Sequence, residues 1–332
     1  MVKTNKRVSK KTKGQVWDLT DIIPKGGFEK LYKLVQKDLN QFVQIRTKLT
    51  PSMSEKEFAK IIIFTESFKE KTARLGCFAE LLLASNIKDQ NARQYQSKIN
   101  NLSITITDAT LFLSQWIKGL EVQGLKTLDE KNASRLFKAI PDIEFALFRG
   151  RLSAKHTLSE NEEKIIHRKD ITGAEVIGEL YDMIVNDFKY TLIVGKKSQV
   201  IDNQQKLVSY VHSPNRKERQ AAYEALFVPY KEHVDKFFLI YSGLVKDWAQ
   251  EATLRKYPSS IAMRNFANNV PDKAIEVLLD VCTKNRTIFH QYFRIKAKML
   301  KLKKLERHDI YAPVTNVKET FTFSEAKKLV FE

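Results

Sequence analysis

Long stretches of this sequence contain neither glycine nor proline. Of all its features, this one most restricts the fold classes that the chain can adopt. Residues 91–117 form one such stretch, and apolar residues recur at helical spacing from about Gly27 to Leu49 and from about Glu55 to Glu80. Across 332 residues there are only 11 Gly and 8 Pro. This scarcity disfavours turn-rich sandwiches and barrels and favours long helices. We therefore predict an all-α fold.

Residues 188–201 differ from the rest and predict one small β-hairpin. Residues 188–194 are β-prone, residues 195–198 have turn composition, and residues 199–201 can return as a short strand. Elsewhere two capping boxes mark helix starts, because a Ser or Thr is followed three residues later by Glu. They begin at Ser159 and Thr322, which predicts helices from about Glu160 and Phe323.

The second half of the chain predicts further helices. Ser213 followed by Pro214 predicts an N-cap and a first helical residue. Pro229 predicts the start of the next helix, and a single long helix is predicted from Pro271. Both carry apolar residues spaced by three or four, which indicates an amphipathic face. These residues are Tyr230, Val234, Phe237, Tyr241, Leu244 and Trp248 in the first, and Ile275, Leu278, Cys282, Phe289 and Phe293 in the second.

The chain is strongly basic, with 57 Lys and Arg against 39 Asp and Glu, a formal charge of +18. Six basic and no acidic residues lie in residues 1–15, which we predict to be a disordered tail. A second basic cluster comprises Arg294, Lys296, Lys298, Lys301, Lys303, Lys304 and Arg307. Such clusters can bind nucleic acid or acidic surfaces. We interpret them instead as a solvated tail and a solvated helix face, and we do not favour a nucleic-acid partner.

Other features bear on the cellular compartment of the protein. No apolar run approaches the ~20 residues that a bilayer span needs, and no apolar segment follows the basic N-terminus as in a secretory signal. We expect no membrane partner. Cys77 and Cys282 lie far apart and form no CxxC motif, which indicates a reducing compartment and no metal knuckle. We therefore expect a cytoplasmic protein.

The six histidines do not form a zinc-protease motif. None is followed by Glu, and no two are four residues apart. We interpret His233 as a half-buried core residue and His308-Asp309 as part of a turn. Gly195-Lys196-Lys197-Ser198 lacks the spacing of a phosphate-binding loop. From the residues alone, the chain is a helical cytosolic protein without a complete catalytic site.

Several motifs follow one another along the chain. Residues 17–24 are WDLTDIIP, residues 156–163 are HTLSENEE, residues 213–223 are SPNRKERQAAY and residues 323–330 are FSEAKKLV. Shorter motifs lie at residues 172–174, 180–182, 188–190, 257–260, 268–270 and 309–313. In this order they resemble the N-terminal half of oligoendopeptidase F, one of the thimet-oligopeptidase-like zinc metallopeptidases. The resemblance runs from residue 17 to the end.

The resemblance implies a fold and an activity. Members of that family are almost wholly helical, with two lobes around a deep channel that admits short unstructured peptides. The chain is expected to form the N-terminal lobe and the start of the catalytic lobe of such a channel fold. In the family, zinc is held by both histidines of HExxH and by a Glu on a later helix. The Glu of the motif polarises the bound water.

This sequence departs from the family pattern because HExxH is absent. In the family the motif lies several tens of residues beyond the helix matching residues 323–330. We therefore expect no catalytic residue, no metal ligand and no bound zinc, and the substrate-binding residues are unknown. We predict a tail at 1–15, an N-terminal helical lid domain at 16–200, and at 201–332 the beginning of the catalytic domain, truncated before HExxH.

The favoured expectation is the N-terminal portion of a zinc-dependent oligoendopeptidase that hydrolyses internal bonds of short peptides. We expect this chain to be a fragment that is inactive alone, and a missing C-terminal half could come from the same or another chain. Two alternatives stay open. One is a non-catalytic helical protein that binds peptides or nucleic acid, and the other is a decayed gene product.

Overall fold

The computed structural model describes residues 18–315 and 320–332. The predicted fold class is confirmed: the structure is mostly helical (72%), with one small antiparallel two-stranded sheet. The chain divides after Gly173 into two compact units. The predicted tail at 1–15 lies outside the described residues, as does Trp17.

The first unit is built of helices around one apolar core. Its helices are α1 (Gly27–Val43), α2 (Glu55–Ser85), α3 (Gln90–Ile117), α4 (Glu130–Lys138), α5 (Pro141–Leu152) and α6 (Glu160–Thr172). The unbroken stretch at 91–117 is thus a single helix, as predicted. Trp116 on α3 is fully buried, its ring lies 6.5 Å from that of Phe58, and its Nε1 donates to the carbonyl of Lys126 at 2.8 Å.

Helix α6 begins where the capping box predicts. The backbone N of Glu162 donates to Ser159 Oγ at 3.4 Å, and the backbone N of Ser159 donates to Glu162 Oε2 at 2.9 Å. These bonds satisfy two donors that the helix itself leaves without partners. The second predicted box, at Thr322 and Glu325, is present in the same form at the start of α14.

Replacing Ser159 with Ala should lower the free energy of unfolding by about 1 kcal/mol, because the Glu162 amide loses its acceptor at the helix start. Urea unfolding followed by far-UV circular dichroism measures this. Ser159→Asp is the matched control and should retain most of the stability, since a carboxylate also accepts from that amide. Equal loss in both variants would contradict the capping role.

The second unit contains the hairpin and the remaining helices. Its elements are α7 (Ala174–Asn186), β1 (Tyr190–Val194), β2 (Lys197–Ile201), α8 (Gln204–Val208), α9 (Arg216–Glu232), α10 (Val234–Leu254), α11 (Ser260–Ala267), α12 (Asp272–Lys284), α13 (Arg286–Met299) and α14 (Phe323–Phe331). The predicted hairpin is confirmed, with Tyr190 opposite Ile201 and Val194 opposite Lys197. Gly195 opens the two-residue turn with φ +62°, a conformation that glycine adopts without strain.

The hairpin belongs to the core of the second unit. Phe188, Tyr190 and Leu192 are buried together with Ala222 and Ala225 of α9. The division of the chain into two units therefore comes before the hairpin, after Gly173, whereas the predicted domain boundary follows residue 200. The assignment of a lid domain and a catalytic domain stays a prediction.

The prediction that Pro229 starts a helix is wrong. Helix α9 continues through Pro229 to Glu232, and the break falls at His233, where φ is −116° and ψ is 17°. Pro229 lies in the last turn of α9, so its missing N–H and its ring disturb only the end of that helix. The predicted apolar stripe is therefore divided between two helices.

The long helix predicted from Pro271 is also divided, at Asn285. The side-chain Nδ2 of Asn285 donates to the carbonyl of Val281 at 2.8 Å, and the Asn285 backbone leaves the helical region. Asn side chains compete in this way with the helical hydrogen bonds of the backbone.

A third correction concerns the start of α9. Asn215, not Ser213, is the N-cap, and its side chain accepts from the backbone N of Lys217 at 3.0 Å. Ser213 Oγ instead accepts from the backbone N of Asn215 at 3.1 Å and donates to Glu218 Oε2 at 2.6 Å. The helix therefore begins at Arg216, two residues later than predicted.

Candidate functional site

The most unusual polar group in the second unit is the carboxylate of Asp309, which is fully buried. Arg216 on α9 donates to it through Nε at 3.1 Å and through Nη2 at 3.0 Å. Arg219, one turn further along α9 and itself buried, donates through Nη2 at 2.9 Å. The backbone N of Glu306 donates at 3.1 Å. The carboxylate is thus paired with two guanidinium groups.

This pairing controls the ionisation of Asp309. Burial by itself raises the pKa of the carboxyl, but the hydrogen bonds from Arg216 and Arg219 outweigh burial and lower the pKa from 3.8 to about 2. The same contact raises the pKa of Arg216. The group is therefore ionised at neutral pH and cannot serve as a general acid there.

A stability change in acid follows from this pKa. Because the folded-state pKa lies below the unfolded value, Asp309 adds stability that is present above about pH 3.8 and is lost as the pH falls towards 2. The pH-dependent part of this contribution is about 2 kcal/mol. Urea unfolding of the wild type and of Asp309→Asn between pH 2 and 6 measures it. The difference between the two proteins should shrink as the pH falls; a constant difference would contradict the assigned pKa.

The cluster around Asp309 fastens residues 306–312 to α9 and α13. Arg219 also donates to the carbonyls of Ser213 at 2.8 Å and His308 at 3.1 Å. Lys296 on α13 is buried and donates through Nζ to the carbonyl of Ile310 at 2.6 Å. The charged groups are engaged in hydrogen bonds with one another and with backbone carbonyls. We interpret the cluster as a structural anchor and not as a reaction centre.

The sequence indicated only a turn at His308-Asp309. A 3-10 turn does occur at Arg307–Asp309, but the burial and charge of Asp309 were not predicted. A signal was available: Arg216 and Asp309 both lie in motifs that resemble the same family. Nothing in their spacing showed that they pair across 93 positions. The Nε2 atom of His308 is buried, has no hydrogen-bond partner among the residues that the structure describes, and lies 3.6 Å from Asp309 Oδ1.

The histidines are spread through the described part of the chain. His167 Nε2 lies 3.3 Å from Ser103 Oγ, His212 contacts the ring of Tyr311, and His290 is exposed. His233 is half-buried against Phe188, as predicted, but it is not a fully hydrogen-bonded core histidine, because its buried Nδ1 has no hydrogen-bond partner among the described residues. Within residues 18–315 and 320–332, no three His, Cys, Asp or Glu side chains come together as metal ligands would.

Two basic segments, the hairpin turn and the cluster at residues 294–307, lie at the protein surface. Lys196 and Lys197 lie at the exposed hairpin turn, and the loop there forms no phosphate-binding turn before a helix. In the cluster at residues 294–307 the charged side chains are exposed except Lys296. Among the helices that the structure describes, none has the length and apolar character needed to cross a membrane.

The second unit exposes an unusual amount of apolar surface. Phe238, Leu239 and Tyr241 of α10 are each more than 70% exposed. Helices α12, α13 and α14 also expose large apolar side chains, namely Val277, Leu278, Leu279, Val281, Ile288, Phe289, Tyr292, Ile295, Met299, Phe323, Leu329, Val330 and Phe331. Large exposed apolar patches mark surfaces that contact another molecule or segment. Of the amphipathic stripes predicted on α10, α12 and α13, only part is exposed, namely Val234, Tyr241, Leu278, Cys282 and Phe289; the other members are partly buried.

Fold and sequence comparisons agree on one class, the helical peptidases. The model of peptidase family M3 matches residues 209–332, and the model of oligopeptidase F matches residues 125–190. The crystal structure of oligoendopeptidase-F from Enterococcus faecium superposes with a TM-score of 0.71 at 20% identity, covering 87% of this chain and 56% of that one. That likeness establishes the fold.

Curated relatives agree with the family models. An oligoendopeptidase F homolog of Lactococcus lactis subsp. lactis is 24% identical over 99% of this chain and 53% of its own length. Oligopeptidase PepF of Bacillus subtilis is 23% identical over 94% of this chain and 46% of its own length. Residues 125–190 and 209–332 therefore match peptidase family M3, and oligoendopeptidase F is among the relatives of this chain. The chain spans about half the length of the curated relatives that it matches.

Proposed function

We propose that this chain is the helical, non-catalytic half of a zinc-dependent oligoendopeptidase that hydrolyses internal bonds of short peptides. The observation that carries the proposal is the pair of family matches, at residues 125–190 and 209–332. The curated relatives to which it is similar are named as oligopeptidases or oligoendopeptidases. Short unstructured peptides are therefore the substrate class we assign to the assembled enzyme, and the cytoplasm is the compartment.

The described residues do not fit the zinc that the family implies. No group of three potential ligands occurs in the described parts of the chain, and HExxH is absent from the sequence. We therefore assign no step of peptide hydrolysis to a residue of this chain. Its contribution would be to form part of the channel and to support the half that carries the metal.

The exposed apolar faces of α10, α12, α13 and α14 support this division of labour. Exposed apolar surface contributes to stability only when another surface covers it and removes it from water. The occupant that we propose is the segment carrying HExxH, supplied by the same gene or by a second chain.

Peptidase assays with an internally quenched peptide of about ten residues test the proposal. The purified chain should show no cleavage with added zinc, whereas the full-length Bacillus subtilis relative serves as the positive control. Adding a separately produced segment that carries HExxH should restore cleavage. Zinc-dependent cleavage by residues 1–332 alone would contradict the non-catalytic role.

The basic surface favours a second candidate, a non-catalytic protein that binds nucleic acid. Such binding would rest on phosphate contacts by the cluster at residues 294–307 and would weaken steeply with salt. Fluorescence anisotropy with labelled RNA and DNA at low salt decides this point. We expect no binding, and a steep salt dependence would favour the alternative.

A further inference from the structure

The first unit contains a cavity that the peptidase proposal does not use. It has a volume of about 600 Å³ and lies between α2, α3 and α5, within the range of about 300–1,000 Å³ typical of small-molecule sites. Small residues keep it open: Ala73 and Gly76 line it from α2, and Ala146 and Gly150 line it from α5. Apart from its chain neighbours and the nearby backbone of its own helix, a Cβ atom added at Gly76 or Gly150 would meet no described atom within 4 Å.

The walls of this cavity are mostly apolar, although five hydroxyl-bearing residues occur in them: Thr65, Thr72, Ser103, Thr110 and Ser114. Thr65 Oγ1 donates to the carbonyl of Ile61 at 2.7 Å, and Thr72 Oγ1 donates to that of Phe68 at 2.9 Å. Each of these two hydroxyls is thereby bonded to its own helix, which leaves the methyl group to line the cavity. Ser103 Oγ is likewise within 3.3 Å of His167 Nε2.

This lining selects the kind of ligand. A peptide in the cavity would bring one N–H and one C=O per residue, and burying them without partners is costly. A hydrocarbon chain needs no such partners and gains from leaving water. The cavity therefore suits an aliphatic chain better than a peptide.

The charged residues that line the cavity are both positive. Lys69 and Lys118 line the cavity, and no Asp or Glu does. Lys118 Nζ donates to Thr157 Oγ1 at 2.9 Å, and Lys69 Nζ lies 3.0 Å from Glu66 Oε1. Glu66 lies outside the lining and offsets part of the charge at Lys69, whereas the hydroxyl of Thr157 is neutral, so the wall still attracts an anionic group on a ligand.

We propose that this cavity binds an unbranched hydrocarbon chain that ends in a carboxylate, such as a medium- or long-chain fatty acid. The aliphatic chain would lie against the apolar walls formed by Phe68, Leu102, Leu113 and Leu147, and the carboxylate would lie near Lys69 and Lys118. The site is separate from peptide hydrolysis and does not depend on the half that carries HExxH.

Fluorescence titration of the full chain with dansyl-labelled undecanoic acid tests the proposal, with dodecanoate as the competitor. The probe should bind saturably at one site per chain, and dodecanoate should displace it. Dodecan-1-ol, which lacks the charge, should compete roughly fivefold more weakly, as expected from the loss of a partly exposed ion pair. In the Lys69→Gln, Lys118→Gln double variant that difference should disappear.

Variants that fill the cavity complete the test. Gly76→Leu should reduce probe affinity by at least about tenfold, because the new side chain occupies the space of the ligand. Gly178→Leu on α7 is the matched control, since a Cβ there also meets no atom within 4 Å and the residue lies outside the cavity. Gly150→Leu repeats the test on α5 if Gly76→Leu loses its helical circular dichroism.

Several results would overturn the proposal. One is the absence of saturable binding by the wild type. Another is unchanged affinity in a folded Gly76→Leu or Gly150→Leu variant. Equal competition by dodecan-1-ol and dodecanoate would remove the role of the lysines. Stronger displacement by an apolar peptide than by dodecanoate would show that the cavity accepts peptides instead.

Discussion

Replacing Asp309 with Asn should lower the free energy of unfolding of the second unit by about 3–5 kcal/mol at pH 7. The reason is that Arg219 is buried and would lose the carboxylate that compensates its charge. Asn keeps the size of the side chain, so the loss reports on charge and not on a cavity. Urea unfolding followed by far-UV circular dichroism measures the change.

The matched control for this variant is Asp280→Asn. Asp280 Oδ2 lies 2.6 Å from Lys284 Nζ, but both side chains are more than half exposed. That substitution should cost less than about 1 kcal/mol, since water screens an exposed pair. A cost at Asp309 no larger than that at Asp280 would contradict the anchoring role of the buried cluster.

Replacing Trp116 with Ala should lower the free energy of unfolding of the first unit by about 3–5 kcal/mol. The side chain is fully buried, and its removal would leave a cavity beside Phe58 as well as an unpartnered carbonyl at Lys126. Trp116→Phe should cost less, because most of the apolar volume remains while the hydrogen bond is lost. The same urea titration measures both variants.

Trp248→Ala is the control in the second unit. This indole is only partly buried, and its Nε1 donates to the carbonyl of Ser260 at 3.1 Å. Its replacement should cost clearly less than that of Trp116. If the two tryptophans had equal effects, the first unit would not have the tightly packed core described here.

The sequence predicted those parts of the fold that depend on local signals. The two capping boxes at Ser159 and Thr322 placed helix starts to the residue, because the hydrogen bonds involved span only three positions. The stretch without Gly or Pro at 91–117 predicted α3, and the β-prone stretch before Gly195 predicted the hairpin. Each of these signals is contained within one element.

Helix ends in the second unit were harder to predict. Pro229 was interpreted as a helix start, but α9 continues past Pro229 to Glu232, and the break comes at His233. At Asn285 the interruption arises from a side chain that bonds to the carbonyl of Val281. Periodicity of apolar residues continues across both breaks and therefore cannot locate them.

The buried cluster and the cavity were beyond sequence reasoning for a different reason. Asp309 and Arg216 are far apart in sequence, and the spacing of charges does not show which of many carboxylates is buried. The cavity between α2, α3 and α5 depends on how small residues of separate helices face one another. Apolar periodicity identified amphipathic faces on α10 and α13 but not which of their residues are exposed here, since the pattern does not specify what covers a face.

The most direct test of the proposed function is the DNA sequence that follows the codon for Glu332 in the source genome. The proposal predicts a continuation, in frame or after a frameshift, that encodes HExxH and a Glu on a later helix. The absence of that motif from the sequence downstream would contradict the assignment of this chain to one half of a peptidase, and binding without catalysis would then become the better account.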